Sequence, residues 1–435
     1  MLARFAIVLG PLLLLVPNLA RAEPNAPPKG FTALFDGDSL GGWHGLGTVD
    51  PRKLAAVPAD ERAKRFEADK EDVARHWSVK NGEIFNDGEG VYLTTDKDYG
   101  DIELFVDYLM HPKGDSGIYL RGCPQVQIWD YTEEAKFKIG ADKGSGGLWN
   151  NSPGAAGKDP LIRADKPFGE WNTFHIIQTG ARTTVYLNDK LVVDAAILEN
   201  YFDRKLPIPA RGPIQLQTHG SEIRWRNIYV REIPADEANR LLAAREDTSF
   251  EVVFNGKDFS GWKGPTDNYE AVDGVVRCKP HKGGCIFTEA SYGDFVVRLE
   301  VKLPKAGNNG LAIRYPGTGD PAYSGMCELQ VLDDADPTYA KIDPRQSFGS
   351  AYGIVAAQRG YLRPVGEWNF EEVTVRGSSI KVELNGTPIL DADLSKVSEF
   401  MGKSAHPGKD AEEGHFGFAG HGDAVEFRNV RIKRL

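Results

Sequence analysis

The feature that most constrains this chain is that it is written twice. "LFDGDSLGGW" (34–43) returns as "VFNGKDFSGW" (253–262), "GDSGIYLRG" (114–122) as "GNNGLAIRY" (307–315), and "VQIWD" (126–130) as "LQVLD" (329–333). "GEWN" stands unchanged at 169 and 366, "VYLND" (185–189) matches "VELNG" (382–386), and "IRWRNIYV" (223–230) matches "VEFRNVRI" (425–432). Blocks repeated in one order mean two copies of a single folding unit, each of ordinary domain length. The blocks themselves are short alternating runs such as "IELFVDYLM", "TTVYLND" and "EIRWRNIYV", separated by Gly, Asn, Asp and Pro. Period-two alternation makes strands, and many short strands without helices between them make an all-β sandwich or jelly roll. The expected architecture is two such sandwiches in tandem, at 29–233 and 250–435.

Three segments stand outside the repeat. Residues 47–76 occur only in the first copy and are rich in Ala, Glu, Lys and Arg, which predicts a helical insertion. "PADEANRLLAAREDTS" (234–249) opens on Pro and acids and reads as a linker helix. At the start, Arg4, an apolar run from Phe5 to Val16 and Ala20-Arg21-Ala22 have the layout of a secretory signal peptide over residues 1–22. The expectation is a periplasmic or secreted protein with no membrane span, since no apolar run is long enough to cross a bilayer.

The net charge is −10 and no basic tract breaks it, so a nucleic-acid partner has no electrostatic support. Four cysteines in 435 residues do not make a disulfide scaffold, although Cys278 and Cys285 bracket a turn that a local bridge could close. No cofactor is expected, and the sequence gives a divalent metal no support. "GDSG" at 114–117 imitates the surroundings of a serine nucleophile, but the second copy puts Asn309 at Ser116, which points to a turn entering a strand. The glycine-rich "GTGD" lacks the strand and lysine of a phosphate loop.

Alternation also sorts each strand into a core side and an open side. In the first copy it places Tyr119 and Arg121 on the open face, with Gln125, Gln127 and Trp129 on the next strand and Gln215, Gln217 and His219 on a third. The second copy sorts the same way with different contents: Arg314, then Glu328 and Gln330 on the next strand, then His415 and His421 on the third. A solvated outer face alternates in the same way. What favours a groove is that Arg, Gln and His recur at matching places in both copies. Amides and arginine form paired hydrogen bonds, and aromatic rings stack on sugars, so the open face has the chemistry of a carbohydrate groove. The second copy has the stronger acid–base set, because Glu328 stands where the first has Gln125.

With these blocks assembled, the chain resembles the bacterial 3-keto-disaccharide hydrolase domain family. The resemblance is carried by "SGIYLRG", "QVQIWD", "GSGGLWNNSPG", "QLQTHG" and "RWRNIYVREI" in one copy and "NNGLAIRYPG", "CELQVLDD", "GSAYG" and "GHFGFAGH" in the other. It implies concanavalin-A-like jelly rolls and cleavage of 3-keto-glycosides, by elimination across sugar carbons 1 and 2 followed by hydration. Such chemistry needs a base, a donor for the enolate oxygen and an acid for the leaving group. On that resemblance His219 or His421 is the expected base or acid, Arg121 or Arg314 the enolate donor and Glu328 an assistant. Trp149 and Tyr352 are the expected platforms for the sugar. The competing expectations are a non-catalytic carbohydrate-binding module and an ordinary glycoside hydrolase. The expected partner in each case is an oligosaccharide or glycoside.

Overall fold

The computed structural model describes residues 25–245 and 249–435, and the signal segment expected at 1–22 lies outside them. The chain folds as two tandem jelly-roll sandwiches. In the first, an eight-stranded sheet faces a five-stranded one. The larger sheet runs in the order Lys190–Ile197, Arg182–Leu187, Asn172–Thr179, Ile102–Met110, Ile223–Glu232, Glu83–Asn86, Trp77–Lys80, with Thr32–Ala33 also on Ile223–Glu232. The smaller runs Trp43–Leu46, Tyr92–Thr95, Gln215–Leu216, Asp115–Leu120, Cys123–Trp129. The second copy repeats both sheets strand for strand, its smaller one ordered Trp262–Lys263, Gly284–Tyr292, Gly414–Gly420, Asn308–Tyr315, Cys327–Leu332. Each sandwich closes on its own apolar core, built around Trp225 and Phe174 in the first and Phe416 and Phe427 in the second. The hydrophobic effect acts on the inward half of every strand, which is why the alternation in the sequence is so regular.

The insertion forms two helices, α1 (Pro51–Ala56) and α2 (Ala59–His76). Asp50 caps α1 by accepting from the Arg52 backbone. Helix α2 docks on the edge strand Trp43–Leu46 at Gly45, where a Cβ would come within 2.6–2.9 Å of Val91, Asp69 and Val73. Helix α3 (Ala235–Ala243) follows the first sandwich and buries Ala238, Asn239 and Leu242. Asn239 donates to Glu300 at 2.8 Å and to the Trp368 carbonyl at 3.1 Å, tying the connector to the second sandwich.

The two sandwiches meet through hairpin tips. Gly180 abuts the Asn385–Gly386 turn so closely that a Cβ would sit 2.1 Å from the Asn385 carbonyl oxygen. Beside it Arg182 forms a two-pronged ion pair with Glu383, at 2.6 and 2.8 Å through one nitrogen and 3.1 Å through Nε. The repeated "RN" motif is framework: Arg226 pairs with Asp107 over the Trp171 ring, and Arg428 pairs with Glu300 over the Trp368 ring. Both tryptophans are therefore half-buried under a guanidinium rather than inside the core. Cys278 and Cys285 stand as free thiols.

One core position breaks the apolar pattern. Glu371 takes the place that Phe174 holds in the first copy, fully buried, with neither carboxylate oxygen hydrogen-bonded. Burial pushes its carboxyl up to about 8 from 4.5. The folded protein thus keeps a proton there that the unfolded chain loses near 4.5. Stability is full below pH 4.5 and is lost as pH rises toward about 8. Glu371→Leu is expected to gain about 3 kcal/mol at pH 7 and much less at pH 4.5. Urea melts at the two pH values check this, and an equal change at both would contradict it.

Candidate active site

The smaller sheet of the second sandwich positions the groups that can do chemistry. Along Cys327–Leu332 the residues Cys327, Leu329 and Val331 enter the core, which turns Glu328 and Gln330 to the opposite face. The Glu328 side chain lies across the neighbouring strand at Gly310, where a Cβ would fall 1.9 Å from its Oε1. Any other residue at 310 would displace the carboxyl. The third strand ends at Gly420, and the next residue, His421, brings its Nε2 to 3.3 Å from Glu328 Oε1.

This pair borders a cavity of about 310 Å³ that also presents Asn308, Asp320, Tyr323, Gln330 and Tyr352. Glu328 is 4% exposed, whereas the His421 side chain is 47% exposed, so the imidazole faces entering molecules with the carboxyl behind it. Burial raises the Glu328 carboxyl above its ordinary value, and the His421 hydrogen bond pulls it only partly back. His421 is held above 6.5 chiefly by that same bond to Glu328. Both shifts favour one proton shared within the pair, the state in which it can give or take a proton.

The remaining lining groups are donors and acceptors set by local structure. Asp320 caps the short helix α4 (Pro321–Ser324), accepting from Ala322 N at 3.0 Å, with Pro321 at the first helical position. That turn presents Tyr323, whose ring packs on the buried His406 at 4.9 Å. The Tyr352 hydroxyl accepts from Gln346 at 3.2 Å, and Gln346 is fixed in turn by a capping box with Asp343. Its own hydroxyl proton is left to point at a ligand. Asn308 Oδ1 is buried without a partner in the same wall.

Several residues expected on the open faces lie elsewhere. Arg121 and Arg314 are buried in ion pairs with Asp101 (3.0 Å) and Asp294 (2.9 Å), and Arg121 borders a cavity between the two sandwiches, beside Tyr361 and Arg363, rather than the open face of its sheet. Both sit in left-handed backbone, at φ of 54° and 47°, beside register shifts in their sheets. A bulge of this kind inserts one residue and turns the next side chain to the other face. The register shift ahead of Gly417 also takes His415 out of the site, to pack on Phe287 at 5.0 Å with Nδ1 3.1 Å from the Ala290 carbonyl. Trp129 is 3% exposed and donates to the Gly144 carbonyl at 2.8 Å, so it is a wall of the fold and not a platform. Its ring supports Trp149 edge-on at 5.8 Å, and Trp149 is half-buried beneath Lys158. Ser116 donates to the Gln217 carbonyl at 2.6 Å inside the sandwich, which ends any resemblance to a nucleophile.

In the first sandwich the amides are engaged with each other and with Asp115. Gln125 donates to Gln127, and Gln127 donates to Asp115 Oδ1 at 2.9 Å. His219 Nδ1 stands 3.5 Å from Asp115 Oδ2, which also receives Lys136 Nζ at 2.9 Å. Gln217 donates to the Tyr92 hydroxyl at 3.2 Å, and Tyr92 meets Tyr119 edge-on at 5.3 Å, with Tyr119 buried. Gln215 is drawn away from this group. It bonds Thr94 Oγ1 at 3.0 Å and borders a separate cavity of about 440 Å³ under α1 and α2, beside His44, Arg62 and Phe66.

Sequence reasoning missed Asp320, Tyr323 and Asn308. The Asp-Pro step at 320–321 carried the signal for the first two, since it is an N-cap followed by a proline at the helix start.

Comparison with known proteins gives a consistent family. The profile of the 3-keto-alpha-glucoside-1,2-lyase-like domain matches twice, at residues 30–231 and 249–433. A 3-keto-disaccharide hydrolase of Bacteroides thetaiotaomicron is 26% identical over 249 residues, which is 48% of this chain and 86% of that protein. A Parabacteroides distasonis structure, provisionally named a glycosyl hydrolase, is 27% identical with a TM-score of 0.39, covering 43% of this chain and 99% of its own. A carbohydrate-binding module of Bacillus subtilis is 17% identical with a TM-score of 0.27, covering 40% and 96%.

Proposed function

Because the chain belongs, in both of its halves, to the 3-keto-alpha-glucoside-1,2-lyase-like domain family, we propose that it cleaves 3-keto-glycosides. The observation that carries this reading is the His421–Glu328 pair on the wall of a sugar-sized polar cavity. A ketone at carbon 3 acidifies the hydrogen on carbon 2, so one modest base suffices to remove it. His421, the exposed member, takes that proton, and Glu328 stabilises the imidazolium from behind. The electron pair of the C2–H bond moves into a C2=C3 double bond, leaving the negative charge on the carbon 3 oxygen. The Tyr352 hydroxyl and the Gln330 amide are the donors suited to that oxygen. When the enolate collapses, the C3=O bond reforms, a C1=C2 double bond appears, and the C1–O bond breaks. The leaving oxygen collects a proton from the histidine–carboxylate pair. Water then adds across C1=C2, with hydroxide at carbon 1 and the proton at carbon 2, which makes the net change a hydrolysis.

This route needs one acid–base pair and an oxyanion donor, where a conventional glycosidase needs two carboxyl groups flanking the bond. Asp320 is occupied as a helix cap, and Glu328 is backed by a histidine, which suits the elimination better. Incubating the protein with a 3-keto-glucoside should yield first the 3-keto-2-hydroxyglucal and then 3-keto-glucose, followed by chromatography or NMR. Binding of the glycoside with neither product formed would reduce the protein to a carbohydrate-binding one. Export is part of the same proposal, and N-terminal sequencing of protein recovered from its native host should begin at Glu23.

A further inference from the structure

The two halves differ at their sites by an exchange. In the second, the strand Asn308–Tyr315 begins with an amide, Asn308, and the strand Cys327–Leu332 contributes a carboxylate, Glu328. In the first, the matching strands carry the reverse: a carboxylate, Asp115, at the place of Asn308, and an amide, Gln125, at the place of Glu328. The pairing register confirms the correspondence, with Asp115 opposite Trp129 and Asn308 opposite Leu332. The carboxylate has moved one strand across, and the histidine has followed it. His421 meets Glu328 through Nε2 at 3.3 Å, whereas His219 meets Asp115 through Nδ1 at 3.5 Å.

We propose that the first domain holds a second acid–base site, in which Asp115 rather than Gln125 is the carboxylate behind His219. This rests on the 3-keto-glycoside reading and extends it to a site with different furniture. As in the second domain, the carboxylate is sheltered and the imidazole exposed, at 13% and 57% of their side-chain surfaces. Gln127 fixes Asp115 from the far side by donating to Oδ1 at 2.9 Å, so Oδ2 is the oxygen turned to the histidine. Lys136 adds what the second domain lacks, an ammonium at 2.9 Å from that same Oδ2. Burial pulls its ammonium down, but pairing with Asp115 and Glu133 together outweighs that and raises it, so it acts as a fixed cation for an enolate oxygen and not as an amine nucleophile. Gln125 Oε1 and Gln217 Oε1 are buried on the strands beside this pair and keep acceptor capacity that no protein donor takes up. The ligand class is again a 3-keto-sugar. The step has the same balance as before: the C2 proton goes to His219, its electron pair into the enolate, and the C1–O bond breaks on collapse.

The test compares the whole chain with its single and double variants on one 3-keto-glucoside. Glu328→Gln is expected to keep about a tenth to a half of the turnover, and adding His219→Ala is expected to remove about a hundredfold more. His219 is exposed, so its loss does not threaten the fold. Asp115→Asn in the Glu328→Gln background should match it, with folding checked by circular dichroism. If Glu328→Gln alone falls to the level of the double variant, the second site is absent while the cleavage reading stands. If the unaltered chain forms no product, it is the cleavage reading that fails.

Discussion

In a chain carrying His219→Ala, replacing Glu328 by Gln is expected to lower the turnover of a 3-keto-glucoside by about a hundred- to a thousandfold while KM changes little. The substitution keeps shape and hydrogen-bonding capacity at a fully enclosed position over Gly310, so the cavity survives and only the charge is lost. An amide cannot stabilise the imidazolium that forms as carbon 2 gives up its proton. The pH profile gives a second, independent reading. His421 is raised above 6.5 by its bond to Glu328, so it must lose that proton before it can act as a base. Activity therefore climbs with pH through a value above 6.5, and without Glu328 the residual limb should move down toward the ordinary imidazole range. A loss of that size with no movement of the limb would separate Glu328 from His421. A loss of less than about threefold would remove Glu328 from the chemistry.

The repeat and the period-two alternation were enough to read the jelly-roll class and to aim Glu328 and Gln330 outward, because Cys327–Leu332 alternates without interruption. Alternation failed where the backbone leaves it. Arg121, Arg314 and His415 sit at or beside register shifts, and no residue type in "YLRG" or "AIRY" announces a left-handed arginine at a strand end, nor any in "GHFGF" the shift beside His415. Gln215 was aimed correctly, out of the core, but its surroundings were hidden, because the helices that cover it come from a segment more than a hundred residues earlier. The exchange of Asp115 for Asn308 was visible in the aligned "GDSG" and "GNNG". It had no meaning there, since both strings read equally well as turns, and only the position of His219 makes Asp115 a partner.

The buried arginines give the largest effect on stability, and the sign of that effect separates framework from catalysis. Arg314→Met is expected to cost about 2–4 kcal/mol of folding free energy, the lower end reflecting the solvent that reaches Asp294. Its guanidinium, 2% exposed, binds Asp294 and the carbonyls of Gly293, Gly377 and Ala411, joining the start of one strand to two loops. Methionine fills the volume but takes the shared donor away from those half-buried carbonyls and leaves Asp294 without its cation. Lysine is no rescue, because one ammonium on a flexible stem cannot span acceptors that a planar fork reaches together. The variant should melt well below the parent, yet the fraction that stays folded at low temperature should retain its kcat. An arginine acting on the enolate would show the opposite pattern, with kcat lost and the melting temperature unchanged. Denaturant titration combined with active-fraction kinetics at 10–15 °C distinguishes the two. A kcat falling by more than about tenfold in folded Arg314→Met would return the arginine to the reaction and overturn its assignment as framework.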